Sequence, residues 1–185
     1  MKPFGFASVI VAALLACARH AAADAPTALY NKTVVLTWTE HRVQRADSGE
    51  VHESTTVSNF AIYISTAGRL FSEFTRRNPR SGRSNSSLQG PDGATTTSGM
   101  GASARSTRFE GRQLISDSKM RSGARRILVE FDGGFTGCAL MVIYGKEGGA
   151  PQYHRAMDGR MYHILSTDVI SPRCQIKAGN AFADN

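Results

Sequence analysis

Residues 124–146 read ARRILVEFDGGFTGCALMVIYGK, and this stretch decides the fold class. Two apolar segments rich in β-branched and aromatic residues flank Gly133 and Gly134, as in a β-hairpin. If these two glycines form the turn, Val129 lies opposite Cys138 on an almost wholly apolar face. The stretch therefore predicts an antiparallel hairpin with Cys138 in the protein core.

Outside this stretch, apolar and polar residues alternate with a period of two along much of the chain. Strand residues predicted to share an apolar side are Val34, Leu36 and Trp38, then Phe60, Ile62 and Ile64. A three-residue turn ending at Gly68 in the left-handed conformation pairs Ile64 with Leu70. We expect an all-β fold, an antiparallel meander of about eight strands. Such a meander hides its edges by closing into a barrel or by stacking as a sandwich, and both forms remain open.

The first 23 residues have the composition of a secretory signal peptide. A lysine at position 2 precedes an apolar stretch over 4–18, and alanines at 21–23 offer a small-residue cleavage site. The sequence therefore predicts a periplasmic or secreted protein in which residues 24–185 form a single β-rich domain. An alternative is acylation of Cys17, which would anchor the protein as a lipoprotein.

Export determines the expected state of the remaining cysteines. Removal of the signal leaves Cys138 and Cys174 as the pair available for a bond. Because disulfides persist outside the cytosol, we expect a Cys138–Cys174 disulfide.

Positive charge is concentrated in the middle of the chain. The net charge is +7 at neutral pH, and residues 69–126 contain 12 basic and 4 acidic side chains. Between Thr75 and Phe109 there is no aromatic residue, valine or isoleucine, which predicts one long flexible basic loop over residues 76–107. Arginine outnumbers lysine 17 to 5 in the whole chain, so the excess is also consistent with a compositional bias. The candidate anion-contacting residues are Arg76, Arg77, Arg80, Arg83, Arg105 and Arg108.

A second hairpin is predicted at Asp158 and Gly159, a strong turn pair. A two-residue turn there places His154 directly opposite His163, with Cβ atoms about 4.5–5.5 Å apart, near enough to share a metal ion. A stable zinc site needs a third or fourth ligand, and none has a matching spacing. We therefore expect adventitious metal binding at this histidine pair and no cofactor.

Composition and motifs disfavour several functions. No aromatic residues lie among the loop arginines to stack on bases, which argues against nucleic-acid binding. The Ser-x-x-Lys pattern at 116–119 lacks the companion motifs of penicillin-binding enzymes. After residue 23, no apolar run reaches the roughly 18 residues of a membrane-spanning helix. An enzyme and a membrane span are therefore both disfavoured.

Two functions remain. The first is an exported, non-catalytic binding module for an unknown small ligand. The alternative is a structural or interaction protein of the cell envelope, in which the arginine-rich loop contacts anionic components or other polyanions.

Overall fold

The computed structural model describes residues 25–91, 95–98, 105–120, 123–145, 152–155 and 159–184. The predicted signal peptide therefore lies outside the described residues. These residues form eleven strands and two short 3₁₀ turns, Thr27–Leu29 and Ala181–Asp184. In chain order the strands are β1 (Lys32–Ala46), β2 (Val51–Ile64), β3 (Leu70–Arg77), β4 (Ser84–Gln89), β5 (Thr95–Ser98), β6 (Arg105–Glu110), β7 (Gln113–Met120), β8 (Gly123–Phe131), β9 (Cys138–Tyr144), β10 (Gln152–Arg155) and β11 (Met161–Ala178).

The strands form two antiparallel sheets, which confirms the all-β prediction. The larger sheet has the order β10-β11-β1-β2-β3-β4-β5, and the smaller has the order β6-β7-β8-β9. The consecutive strands β5 and β6 belong to different sheets, as do β9 and β10, so the hydrogen-bonded ladder is interrupted at both places. In the described parts of the chain the sheets therefore stay open, and the barrel alternative is wrong. No helix in these parts is long and apolar enough to span a membrane.

One hydrophobic core lies between the two sheets. The larger sheet contributes Trp38 and Phe60, and the smaller sheet contributes Phe109 and Phe131, all of them buried. The Phe109 and Phe131 rings stack with centroids 6.1 Å apart. Because side chains alternate across a strand, each sheet turns one set of residues inward to this shared core.

A disulfide joins the two sheets covalently. Cys138 begins β9, Cys174 lies in β11, and their Cα atoms are 5.7 Å apart. The predicted pairing of the two cysteines is therefore confirmed.

The turn between β2 and β3 also agrees with the prediction. Gly68 has a φ of 73°, and Ile64 pairs with Leu70. A Cβ atom at Gly68 would lie 2.7 Å from the hydroxyl oxygen of Tyr30. Both the backbone conformation and the close approach of Tyr30 therefore require glycine here.

The β8–β9 hairpin differs from the prediction by two residues. Val129 pairs with Leu140, and Cys138 pairs with Phe131. The predicted two-residue turn is replaced by a longer loop, because the Asp132 carboxylate accepts hydrogen bonds from the backbone N–H groups of residues 134, 136 and 137. A shift of two residues preserves the face, so Cys138 still reaches the core.

The β10–β11 hairpin differs by one residue. His163 pairs with Tyr153, and His154 pairs with Tyr162. The two histidines are therefore not directly opposed. A shift of one residue in one strand reverses the faces on which its side chains lie, and here it removes the predicted pairing.

The predicted flexible loop over 76–107 is corrected in part. The described residues of this segment include β4 and β5, which extend the larger sheet beyond β3. These strands are made largely of serine, threonine, asparagine and glutamine, so they lack an apolar alternation that sequence reasoning could detect. Backbone pairing of β4 with β3, and of β5 with β4, nevertheless holds both strands in the sheet.

Candidate functional site

The inner face of the larger sheet changes from apolar to charged along β1. Leu36 and Trp38 lie in the core, and the next residue in the same phase is Glu40, with only 2% of its surface exposed. Arg42 follows in that phase. The interior between the sheets is therefore apolar at one end and charged at the other. We call the second region the charged end; its members are Glu40, Arg42, Arg76, Arg105, Arg125 and Tyr144.

Two arginines of the smaller sheet occupy positions that would otherwise be apolar core. Arg125 lies on the same face of β8 as Ile127, and Arg105 lies on the same face of β6 as Phe109. Arg125 is 3% exposed and Arg105 is 8% exposed. We call Arg105 and Arg125 the arginine pair. Burial of a guanidinium group is costly unless its charge and its donors are satisfied.

Aromatic rings of the larger sheet lie against both guanidinium groups. The guanidinium carbon of Arg125 lies 4.1 Å from the Phe74 ring centroid and 5.8 Å from that of Trp38. The guanidinium carbon of Arg105 lies 5.2 Å from the Phe60 centroid and 5.4 Å from that of Phe74. These cation–π contacts hold both members of the arginine pair near the Phe74 ring and offset part of the desolvation.

The carboxylate of Glu40 is already occupied. Arg76 donates from Nη2 to both carboxylate oxygens, at 2.6 and 3.1 Å, and Arg42 interacts with Glu40 electrostatically. The Tyr144 hydroxyl hydrogen-bonds to Glu40 and accepts a hydrogen bond from Trp38 Nε1 at 3.0 Å. Burial and the nearby Glu40 charge raise the pKa of Tyr144, so its hydroxyl keeps its proton. Glu40 is therefore compensated within its own cluster.

The arginine pair keeps donors without acceptors. Within the described residues, Nε and Nη1 of both side chains are buried and have no hydrogen-bond partner. Arg105 Nη2 donates to the Ser87 carbonyl at 3.2 Å, and Arg125 hydrogen-bonds with Tyr144. Burial, followed by the charge of Arg125, lowers the pKa of Arg105 to about 10. Burial also lowers the pKa of Arg125. A pKa of about 10 leaves Arg105 fully charged at neutral pH.

A cavity of about 800 Å³ opens beside the arginine pair, where the smaller sheet ends. The first residues of β6 and β8 and the last residues of β7 surround it. This volume falls within the range of sites that hold small organic ligands. The charged side chains that line the cavity are Arg105, Asp117, Lys119, Arg125 and Arg126.

Asp117, the acidic residue of the cavity lining, forms ion pairs on the outer face of the smaller sheet. Asp117 accepts hydrogen bonds from Arg126 Nε at 2.7 Å and from Arg108 Nη1 at 3.0 Å. The bond from Arg126 is the main reason that the pKa of Asp117 is lowered, and Arg108 adds to the effect. The carboxylate is therefore held ionised and does not neutralise the arginine pair.

The structure does not gather the six predicted arginines into one site. Arg76 lies in the Glu40 cluster and Arg105 lines the cavity, whereas Arg108 binds Glu110 and Asp117 on the outer face. The other three are exposed and lie around the β3–β4 turn; they are Arg77, Arg80 and Arg83. The six residues thus divide between an interior cluster and two surfaces.

The predicted metal pair is not supported by the strand register. The ring of His163 stacks on the ring of Tyr153, with centroids 4.7 Å apart. Within the part of the chain that the structure describes, no group of three or more histidine, cysteine, aspartate or glutamate side chains is placed to hold a metal ion.

Sequence reasoning missed four members of the charged end, namely Glu40, Arg42, Arg125 and Tyr144. A usable signal was present for two of them. Glu40 continues the buried phase of Trp38, and Arg125 shares its phase with Ile127 in the hairpin. A charged residue in phase with a buried apolar row indicates a polar site inside the core.

We compared the chain with protein-family models, with curated proteins and with solved structures, and none of the three comparisons gave a match.

Proposed function

We propose that the protein is an exported, non-catalytic binding module that holds an anionic ligand at its charged end. The observation that carries the proposal is the arginine pair, two buried guanidinium groups that lie beside a cavity. The Nε and Nη1 atoms of both groups have no hydrogen-bond partner among the described residues. An anion in the cavity supplies the counter-charge that these groups lack, and it offers hydrogen-bond acceptors to their buried donors when a guanidinium group turns toward it.

The chemistry of the site favours binding over catalysis. Arginine keeps its proton at neutral pH, so the arginine pair suits the recognition of an anion and not proton transfer. Asp117 is held as a carboxylate by two arginines, which makes it a weak base. Export is supported by the N-terminal sequence and by the Cys138–Cys174 disulfide.

Isothermal titration with small anions tests the proposal. We expect saturable binding of sulfate or phosphate at constant ionic strength. Arg125→Met should weaken this binding about 10- to 100-fold, since a hydrogen bond to a charged group contributes about 1.5–3 kcal/mol. The matched control is Arg69→Met, because Arg69 is exposed in the β2–β3 turn and does not line the cavity. Its affinity should stay within about twofold of the parent protein.

Circular dichroism establishes that each variant is folded. If Arg125→Met does not fold, Arg105→Met provides the same test from the other member of the pair. The proposal fails if sulfate, phosphate and acetate all give no saturable heat, or if folded pair variants bind as the parent protein does.

A second candidate function is contact with a polyanion of the cell envelope through the exposed arginines. It is favoured by the exposure of Arg77, Arg80 and Arg83 around one turn. Replacement of all three by glutamine should lower the salt concentration that elutes the protein from immobilised dextran sulfate. The cavity variant Arg105→Met should elute as the parent does. Equal elution of the triple variant and the parent would exclude this contact surface.

A further inference from the structure

We infer that the ligand held at the charged end is a small organic phosphate monoester, bound through its dianionic phosphate group. This inference rests on the proposed function and names the class of ligand. Three features of the site support it: the number of uncompensated charges, the position of the two guanidinium groups, and the size of the cavity.

The first feature is the charge balance among the described residues. Glu40 is occupied by Arg76, with Arg42 also close enough to interact. Asp117 is occupied by Arg126 and a further arginine of β6. Each acidic group at or beside the charged end therefore has an arginine of its own. Neither member of the arginine pair forms an ion pair with a carboxylate among the described residues, so the charged end keeps at least two buried positive charges, and a dianion compensates them more fully than a monoanion.

The second feature is the arrangement of the two guanidinium groups. Both lie near the same aromatic ring, since their carbons are 4.1 and 5.4 Å from the Phe74 centroid. A planar carboxylate has two oxygens and matches one guanidinium fork. A phosphate group has three acceptor oxygens spread around phosphorus, so it can accept from two separate forks.

The number of charges also distinguishes the common oxyanion esters. A phosphate monoester carries about −1.5 to −2 charges at neutral pH. A sulfate monoester has the same arrangement of oxygens but a single negative charge. The two uncompensated arginines therefore favour the phosphate monoester.

The third feature is the space beyond the anion. A cavity of about 800 Å³ is far larger than a phosphate group and is of the size that holds a small organic molecule. Its lining residues include Ser106 and Ser118 together with Ala124 and Ile143. A ligand body with both hydroxyl and apolar groups matches these neighbours, which favours an ester over free phosphate.

The test is a series of isothermal titrations at pH 8 and constant ionic strength. The probes are sulfate as a tetrahedral dianion, methyl sulfate as a tetrahedral monoanion, acetate as a planar monoanion, inorganic phosphate, and glucose 6-phosphate. We expect sulfate to bind at least tenfold more tightly than methyl sulfate or acetate. Glucose 6-phosphate should bind at least tenfold more tightly than inorganic phosphate, because its body fills the cavity.

Variants of the arginine pair test whether its two positive charges cause the preference for a dianion. Arg105→Met should bring the affinities for sulfate and methyl sulfate within about threefold of each other, because Arg125 alone of the arginine pair remains. Arg69→Met, at an exposed position in the β2–β3 turn, should preserve the tenfold difference. If Arg105→Met does not fold, Arg125→Met replaces it, and the comparison of probes on the parent protein stands by itself.

The outcomes separate this inference from the proposed function. Equal binding of sulfate, methyl sulfate and acetate would retain an anion site and overturn the dianion. Equal binding of inorganic phosphate and glucose 6-phosphate would overturn the ester and leave free phosphate as the ligand. The absence of saturable binding by any probe would refute the inference and the proposed function together.

Discussion

Glu40→Gln should be among the most destabilising single substitutions in this protein, because it removes the negative charge from the charged end. The side chain of Glu40 is 2% exposed, and its carboxylate lies 2.6 Å from Arg76 Nη2. Loss of one partner of a buried ion pair costs about 3–5 kcal/mol. The Arg76 side chain is 27% exposed, so water can solvate part of the charge left behind. We therefore expect a loss of about 2–4 kcal/mol in the free energy of unfolding.

Urea unfolding followed by circular dichroism measures this loss as a lower midpoint concentration. In a domain of this size, each kcal/mol corresponds to about 2–4 °C in Tm. Glu53→Gln is the matched control, since Glu53 lies on the neighbouring strand, pairs with His41 at 3.4 Å and has a side chain that is 66% exposed. A surface pair of this kind contributes about 0–1 kcal/mol, so the control should unfold almost as the parent does.

The double variant Glu40→Gln with Arg76→Met examines the cause of the loss. If an uncompensated guanidinium group is responsible, removal of that group should recover part of the stability. A Glu40→Gln protein within about 0.5 kcal/mol of the parent would refute the reasoning. It would mean that the Glu40 charge does not compensate buried arginines.

Three further predictions concern other parts of the chain. The double variant Cys138→Ala/Cys174→Ala should unfold with about 2–4 kcal/mol less free energy, because the bond closes a loop between residues 36 apart; thiol titration of the denatured, unreduced parent should find no free thiol in the mature protein. Hydrogen bonds from the Thr136 backbone and side chain lower the pKa of Asp132, so its stabilising effect is present above the ordinary carboxyl pKa and is lost as the pH falls through the lower folded value. Asp132→Asn should therefore be less stable than the parent at pH 7 and lose less stability on acidification, as measured by Tm against pH. Intact-mass measurement of exported protein should find an unmodified N-terminus at Asp24, whereas a diacylglycerol adduct would establish lipidation instead.

Local pattern was sufficient to predict the strands that form the core. Leu36 and Ile62 lie on alternating apolar faces, and both are buried. Gly68 marked a turn whose register the structure confirms, since a positive φ there is a property of the local chain. The disulfide was also predictable, because only two cysteines remain after the predicted signal.

The local sequence pattern was not sufficient to predict the hairpin registers or the polar strands at the edge of the larger sheet. In the β8–β9 hairpin, the hydrogen bonds of the Asp132 carboxylate outweighed the glycine pair that indicated a shorter turn. In the β10–β11 hairpin, a shift of one residue removed the predicted histidine pair. Strands β4 and β5 are held by backbone pairing to a neighbour, and such pairing leaves no alternation of apolar residues in the sequence.

The amino-acid sequence by itself determined the fold class, the inward faces of the main strands and the cysteine pair, because alternation and residue type are properties of neighbouring positions. The tertiary structure alone decided the charged end. Arg76 reaches Glu40 across 36 residues, and Trp38 reaches Tyr144 across 106. Whether a buried charge is compensated depends on which sheet packs over it, and no local pattern contains that information. The arginine pair therefore became a candidate site only when the stacking of the two sheets placed it against aromatic rings and beside the cavity.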